Sequence, residues 1–145
     1  MIVAIDPGAN GGVAIMTNSG NVAVEKLASG DLKSLFCQFR SLSRGDVVVL
    51  EDVGFHVKGN NAQASATFAK HVGHLEMALA ANWLEPVYVK PREWMKALGP
   101  LPKDKSERKN EIKRLMQERY THIKVTLWSS DALGILTWAF ERKMK

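Results

Sequence analysis

Apolar positions fall into short runs at the front of the chain and into helical spacing behind them. Met1 to Ile5 is short and β-branched and reads as a buried strand ending at Asp6. Pro7 to Gly12 is dense in turn formers. Val13 to Met16 reads as a second strand, Asn18 to Asn21 as another turn, and Val22 to Leu27 as a third strand. Three strands joined by tight turns predict an antiparallel meander. Leu32, Leu35, Phe36 and Phe39 are spaced for a helix over Asp31 to Leu42. Asp46 then opens Val47-Val48-Val49-Leu50-Glu51, whose four successive apolar residues predict a strand covered on both faces. A long helix follows over Ala62 to Ala81, with Phe68, Val72, Leu75 and Leu79 on one face. Pro86 to Val89 is a short strand. Pro91 to Leu98 is a short helix with proline at its favoured first position. Residues 99–102 make a loop, Lys103 to Tyr120 a charged helix, and Ser129 or Ser130 caps a last helix running to Lys143.

The order βββ-α-β-α-β-α-α-α predicts an α/β fold. It is a mixed five-stranded sheet flanked by helices, its first three strands antiparallel and its later ones parallel through helical crossovers. The 145 residues suit one domain spanning 1–145, without a linker or repeat to divide them. Cys37 has no partner cysteine in the chain, so a disulfide scaffold is excluded. No apolar run approaches the roughly 18 residues that a membrane span needs. The N-terminus lacks the pattern of a signal peptide. These features lead us to expect a soluble, intracellular protein without membrane partners.

Charge is unevenly placed. The 20 Lys and Arg exceed the 15 Asp and Glu by five. Residues 1–52 hold four basic and six acidic side chains, so the remainder carries a net +7. A basic back half suggests a polyanionic partner. Lys105, Lys109 and Lys113 follow at i, i+4 spacing and share one helix face. With Lys103 and Arg108 beside them they form a candidate DNA-phosphate surface. Phe55, shortly after Glu51, is a candidate for stacking on unpaired bases. The four tryptophans, Trp83, Trp94, Trp128 and Trp138, read as core. Gly73 suggests close helix packing, either within the chain or across a two-fold axis.

Three carboxylates lack an ordinary surface explanation. Asp6 directly follows a buried strand, where charge is costly unless paired or metal-bound. Glu51 ends the most apolar run in the chain. Asp131 lies in the first turn of an otherwise apolar helix. If the first and fourth strands are neighbours, Asp6 and Glu51 emerge at one sheet edge, and the last helix can add Asp131. Asp52 should point to the other face, because side chains alternate along a strand. Converging carboxylates call for hard divalent cations, above all Mg²⁺. Two such ions about 4 Å apart can clamp the attacking and leaving oxygens of a phosphodiester.

Several stretches together resemble RuvC-type Holliday junction resolvases. Ile5-Asp6-Pro7-Gly8 is similar to the opening of that family, and Val49-Leu50-Glu51 to its second acidic strand. Ser130-Asp131-Ala132-Leu133-Gly134-Ile135 resembles its last motif. Val89-Lys90-Pro91-Arg92-Glu93-Trp94, followed by a lysine-rich helix, looks closest to the phage and organellar branch. The resemblance spans essentially the whole chain. It implies a ribonuclease H-like fold, a homodimer, and an endodeoxyribonuclease that resolves four-way and other branched DNA with two Mg²⁺ or Mn²⁺ ions. It implies no small-molecule cofactor, and a bacterial or phage-infected cell as the setting. Asp6, Glu51 and Asp131 would be the metal-binding catalytic carboxylates. One departure stands out. The family usually places another acidic residue or a histidine shortly before the last aspartate. Here Thr126, Leu127, Trp128, Ser129 and Ser130 precede it, and His122 lies too far back. A branched-DNA-binding protein of the same fold with weak or absent cleavage is therefore the alternative. An actin-like kinase half would need a second lobe, which this length does not provide. A ribonuclease H acting on RNA–DNA hybrids shares the expected fold and metals.

Overall fold

A computed structural model describes residues 1–8, 10–54 and 61–143. Its strands are β1 (Ile2–Ile5), β2 (Gly12–Met16), β3 (Val22–Lys26), β4 (Val47–Glu51) and β5 (Val87–Val89). Its helices are α1 (Leu32–Gln38), α2 (Ala62–Ala81), α3 (Pro91–Ala97), α4 (Lys105–Arg119) and α5 (Ser130–Lys143). The sheet runs β3-β2-β1-β4-β5, with β1–β2 and β2–β3 antiparallel, and β1–β4 and β4–β5 parallel. This is the mixed sheet that the hydrophobic pattern predicts. No helix among the described residues is long and apolar enough to cross a membrane.

Alternation along the strands sorts the core into two layers. Val3 and Ile5 of β1, with Val48 and Leu50 of β4, face Leu35 and Phe39 beside α1 and Leu75 and Leu79 of α2. Ile2, Ala4 and Val49 face the other way, onto Trp94, Ile112, Met116 and the buried side of α5. Helix α5 packs on β1, β2, β4, α3 and α4. Ala4 and Ala14 are paired across β1 and β2 and fully buried on that face. Their small side chains let α5 lie close against the sheet, where it buries Leu133 and Leu136 completely. Between α4 and α5, the Tyr120 and Thr137 hydroxyls hydrogen-bond at 2.9 Å, which satisfies two buried polar groups.

Local chemistry trims three expectations. Helix α1 ends at Gln38 rather than Leu42, and Leu32 and Phe36 stay exposed, so Leu35 and Phe39 alone carry its buried face. Helix α4 begins at Lys105 because Asp104 acts as its cap, accepting from the backbone N–H groups of Ser106 and Glu107. Trp83 is not core: it is 70% exposed, at φ 60°, just past the end of α2. The Leu84 N–H bonds back to the Leu79 carbonyl, so Trp83 fills the left-handed position usually given to glycine. The Arg44 guanidinium lies 4.6 Å above its ring. A Cβ on Gly73 would meet open space, so no close packing within the described residues explains that glycine.

The turn after β1 is fixed by backbone approach. The Asp6 N–H donates to the Gly12 carbonyl at 3.0 Å, and the Gly11 N–H to the Gly8 carbonyl at 2.8 Å. A Cβ on Gly11 would sit 2.1 Å from the Asp6 carbonyl oxygen, and neither atom belongs to a flexible side chain. Gly11→Ala should therefore destabilise the chain by about 2 kcal/mol or more through forced backbone displacement. Urea unfolding checks this, and a midpoint equal to that of the wild type would contradict the clash.

Candidate active site at the carboxyl edge of the sheet

The register of β1 on β4 sets Ile5 beside Leu50, so the next residue of each strand, Asp6 and Glu51, leaves at the same edge. Alternation then chooses the face. Ile5 and Leu50 point to the α1–α2 layer, so Asp6 and Glu51 point toward α5. Helix α5 starts on that face and contributes Asp131 from its first turn. Asp52 goes the other way, is exposed, and accepts from the Gly54 N–H.

Burial dominates the electrostatics. Glu51 is 8% exposed. Desolvation and the charges of Asp6 and Asp131 push its carboxyl up to about 8, although a hydrogen bond from Trp94 and the charge of Lys109 pull it down. Asp6 is pushed up to about 6 by desolvation and by Asp131, against a hydrogen bond from the Gly8 N–H and the charge of Lys109. Desolvation also raises Asp131, against the pull of Lys109, the Ser130 hydroxyl and Arg108. Two of the three acids thus feel the charge of another across the sheet edge, and Lys109 moderates all of them.

Each carboxylate has its own donor. Trp94 Nε1 donates to Glu51 Oε1 at 2.7 Å in a buried contact. The Gly8 N–H donates to Asp6 Oδ1 at 3.1 Å. Lys109 Nζ lies 3.7 Å from Asp131 Oδ2. Held this way, the three do not close into a ligand set: among the described residues no group of three His, Cys, Asp or Glu side chains is placed to hold a metal ion. The donor chemistry still suits a hard cation. These are buried oxygen ligands whose charged forms lack full compensation, the condition a divalent ion relieves.

Of the other expected residues, Lys103 and Lys105 are exposed, and Arg108, Lys109 and Lys113 are half-buried along α4. Arg108 also donates to the carbonyls of Pro102 and Lys103. Phe55 lies outside the described residues. His122 does not supply the missing fourth ligand, because its ring meets the Val22 carbonyl on β3. Trp94 is a site residue that sequence reasoning misses. Its spacing marks it as buried, and it is 2% exposed, but nothing in the spacing discloses that its N–H reaches Glu51. Gly134 gives it room: a Cβ there would sit 2.7 Å from the Trp94 ring.

No family model matches the chain, and no curated protein matches it. Solved structures do match in shape, and what they show is the fold, a ribonuclease H-like mixed α/β sheet. Within that class the fold is the one seen in Thermus thermophilus RuvC. A structure of that protein in complex with Holliday junction substrate superposes with a TM-score of 0.60 at 16% identity, over 99% of this chain and 95% of that one. Another structure of T. thermophilus RuvC gives 0.59 at 18% identity with the same coverage.

Two outcomes follow for the carboxylates without metal. Glu51 binds its proton more tightly folded than unfolded, so raising the pH from 4.5 toward about 8 must cost stability. Glu51→Gln removes that cost, and its stability advantage over the wild type in EDTA should grow between about pH 5 and about pH 9. Thermal melts check this, and a constant difference would refute the burial argument. Trp94→Phe deletes the donor that favours the charged form. The Glu51 carboxyl should then titrate above its wild-type midpoint, as followed by ¹³C-carboxyl NMR.

Proposed function

We propose that this chain is a structure-selective endodeoxyribonuclease that resolves four-way and other branched DNA, with Asp6, Glu51 and Asp131 as its metal-binding catalytic carboxylates. The observation that carries the reading is that these three desolvated acids stand at one sheet edge. The shared fold with a RuvC caught on its junction substrate supports it. In this reading residues 1–145 form one nuclease domain, placed in the phage and organellar branch by Pro91 to Trp94 and the lysine-rich helix behind them. A homodimer supplies two active sites for paired cuts across a junction. The protein works inside a bacterial or phage-infected cell.

Two Mg²⁺ or Mn²⁺ ions, when bound, supply an activated water and charge stabilisation for the departing oxygen. The protein's own part is positional. Asp6 is fixed by the backbone of its turn, and Trp94 orients Glu51 from the buried side. Lys109 holds Asp131 and adds positive charge where a phosphate would approach. Lys103, Lys105, Arg108 and Lys113 continue that charge along α4 and hold DNA phosphates without reading sequence. Phe55, which follows Glu51 closely in the sequence, stacks on unpaired bases.

A second reading has specific support. The expected fourth acidic or histidine ligand is absent, and the three carboxylates rest on internal donors rather than on a common point. In that reading the chain binds branched DNA and cuts it weakly or not at all.

Cleavage of a synthetic four-way junction in Mg²⁺ and in Mn²⁺ separates the two. On the nuclease reading the wild type cuts. Asp6→Asn, Glu51→Gln and Asp131→Asn each lose more than about a hundredfold in rate, beyond what loss of an outer partner of a metal site costs. All three variants keep their affinity for the junction. Absence of cleavage by the wild type in both metals, with binding intact, would establish the second reading.

A further inference from the structure

Of the four tryptophans, the indole of Trp128 alone has no polar or cationic partner among the described residues. Trp94 donates to Glu51, and Trp83 and Trp138 lie under Arg44 and Arg142. Trp94 and Trp138 also belong to the apolar cluster beneath α5, which Trp128, expected from the sequence to be core, does not join. Trp128 sits instead in the turn that leads into α5. It is partly exposed there, beside Leu127, which is 48% exposed. The turn is built stiffly. The Thr126 N–H donates to the Ser129 hydroxyl at 3.0 Å, and the Ser129 and Ser130 N–H groups return to the Thr126 carbonyl at 3.2 and 3.0 Å. Two apolar side chains are therefore held out at a fixed place.

That place adjoins the carboxylates. The β1–β2 register, continued one step past Ile5 and Val13, sets Asp6 opposite Gly12, and the Asp6 N–H donates to the Gly12 carbonyl. Opposite residues of an antiparallel pair share a face, so the missing side chain of Gly12 leaves a gap next to Asp6. Trp128 closes it. A Cβ on Gly12 would lie 3.0 and 3.2 Å from Cε3 and Cζ3 of the indole, and 2.9 Å from the Trp128 carbonyl oxygen. The contact is thus made through the edge of the six-membered ring. Asp131 follows Trp128 closely, in the first turn of α5. An uncharged aromatic shelf therefore borders Asp6 and Asp131, in the same stretch that lacks the expected fourth acidic or histidine ligand. It offers no oxygen ligand to a cation and no charge to a phosphate. A flat apolar side chain there is suited to stacking, which every base allows through its π-face whatever the sequence. A nucleotide whose phosphate lies over the carboxylates brings its base to the border of that site, where the shelf stands. We infer that Trp128, flanked by Leu127, is a stacking platform for the unpaired base next to the phosphate to be cut. This rests on the nuclease reading for the place of that phosphate, but stacking can be measured without cleavage.

The test uses the full chain in EDTA and a four-way junction of synthetic oligodeoxynucleotides. The nucleotides flanking the exchange point carry 2-aminopurine, whose emission falls on stacking. Trp128→Leu keeps an apolar contact on Gly12 but removes the ring, whereas Trp128→Phe keeps a ring. Trp128→Leu should bind the junction about fivefold or more weakly, and Trp128→Phe should lose less than about fivefold. Neither should change affinity for a linear duplex of the same sequence. The slope of log affinity against log salt should stay at the wild-type value in both, because no phosphate loses a cation. Emission should rise in the Trp128→Leu complex and stay near the wild-type level with Trp128→Phe. The wild type gives a readout that no folding defect can disturb: with 5-iodouracil at the same nucleotides, the junction should photo-crosslink to Trp128, as mapped by mass spectrometry. Wild-type junction affinity and emission in Trp128→Leu would overturn the platform and leave the shelf to contact with a protein. An equal loss on junction and duplex would overturn it too, and so would crosslinks confined to other residues. Failure of the nuclease reading looks different: no cleavage by the wild type in Mg²⁺ or Mn²⁺, with the Trp128-dependent emission still present.

Discussion

The parallel pairing of β1 with β4 is the constraint on which the rest depends. Two strands far apart in sequence lie side by side with Ile5 beside Leu50, and both then end on an acid. A register slip of one residue would send one of these carboxylates to the opposite layer, among Leu75 and Leu79, where a charge has no partner. The apolar alternation that stabilises the sheet is therefore also what aims Asp6 and Glu51 at α5. Ala4 and Ala14 complete the arrangement, because bulkier residues there would hold the first turn of α5, and Asp131 with it, off the sheet.

Around that edge the fold does something that a stability argument alone would not produce. It desolvates three acids and gives them weak or shared compensation: one indole N–H, one backbone N–H, one serine hydroxyl at 3.4 Å and one lysine at 3.7 Å. A buried pair built for stability would be closely hydrogen-bonded on every oxygen. Here burial and the neighbouring charges of Asp6 and Asp131 raise Glu51 to about 8, so below that pH a proton takes up part of the excess charge. Groups perturbed in this manner cluster at functional sites.

Much of this is legible in the sequence, for reasons that differ from residue to residue. Every expected strand and helix is present in the expected order, because apolar runs mark the sheet and helical spacing marks the rest, although α1 stops short at Gln38 and α4 starts late at Lys105. Asp6 and Glu51 stand out because each terminates an apolar run. Asp131 stands out by being charged inside an apolar helix. Trp94 does not stand out, since an indole that fills the core and one that orients a carboxylate leave the same hydrophobic mark. Trp83 misleads for the same reason: its left-handed seat depends on how α2 unwinds, which no local spacing encodes.

Gly134 carries a consequence for anyone who sets out to make this protein hardier. Alanine in a helix interior is worth about 1 kcal/mol over glycine, so routine thermostabilisation would select that exchange early. The added methyl would press on the indole at 2.7 Å and lever its nitrogen away from Glu51. Overpacking of the buried ring, about 1–3 kcal/mol, would offset the helix gain, and the acid the exchange was meant to leave alone would have lost its anchor. Position 134 is thus a place where helix propensity and fidelity of the acidic centre pull in opposite directions, and a choice made on propensity alone would be the wrong one.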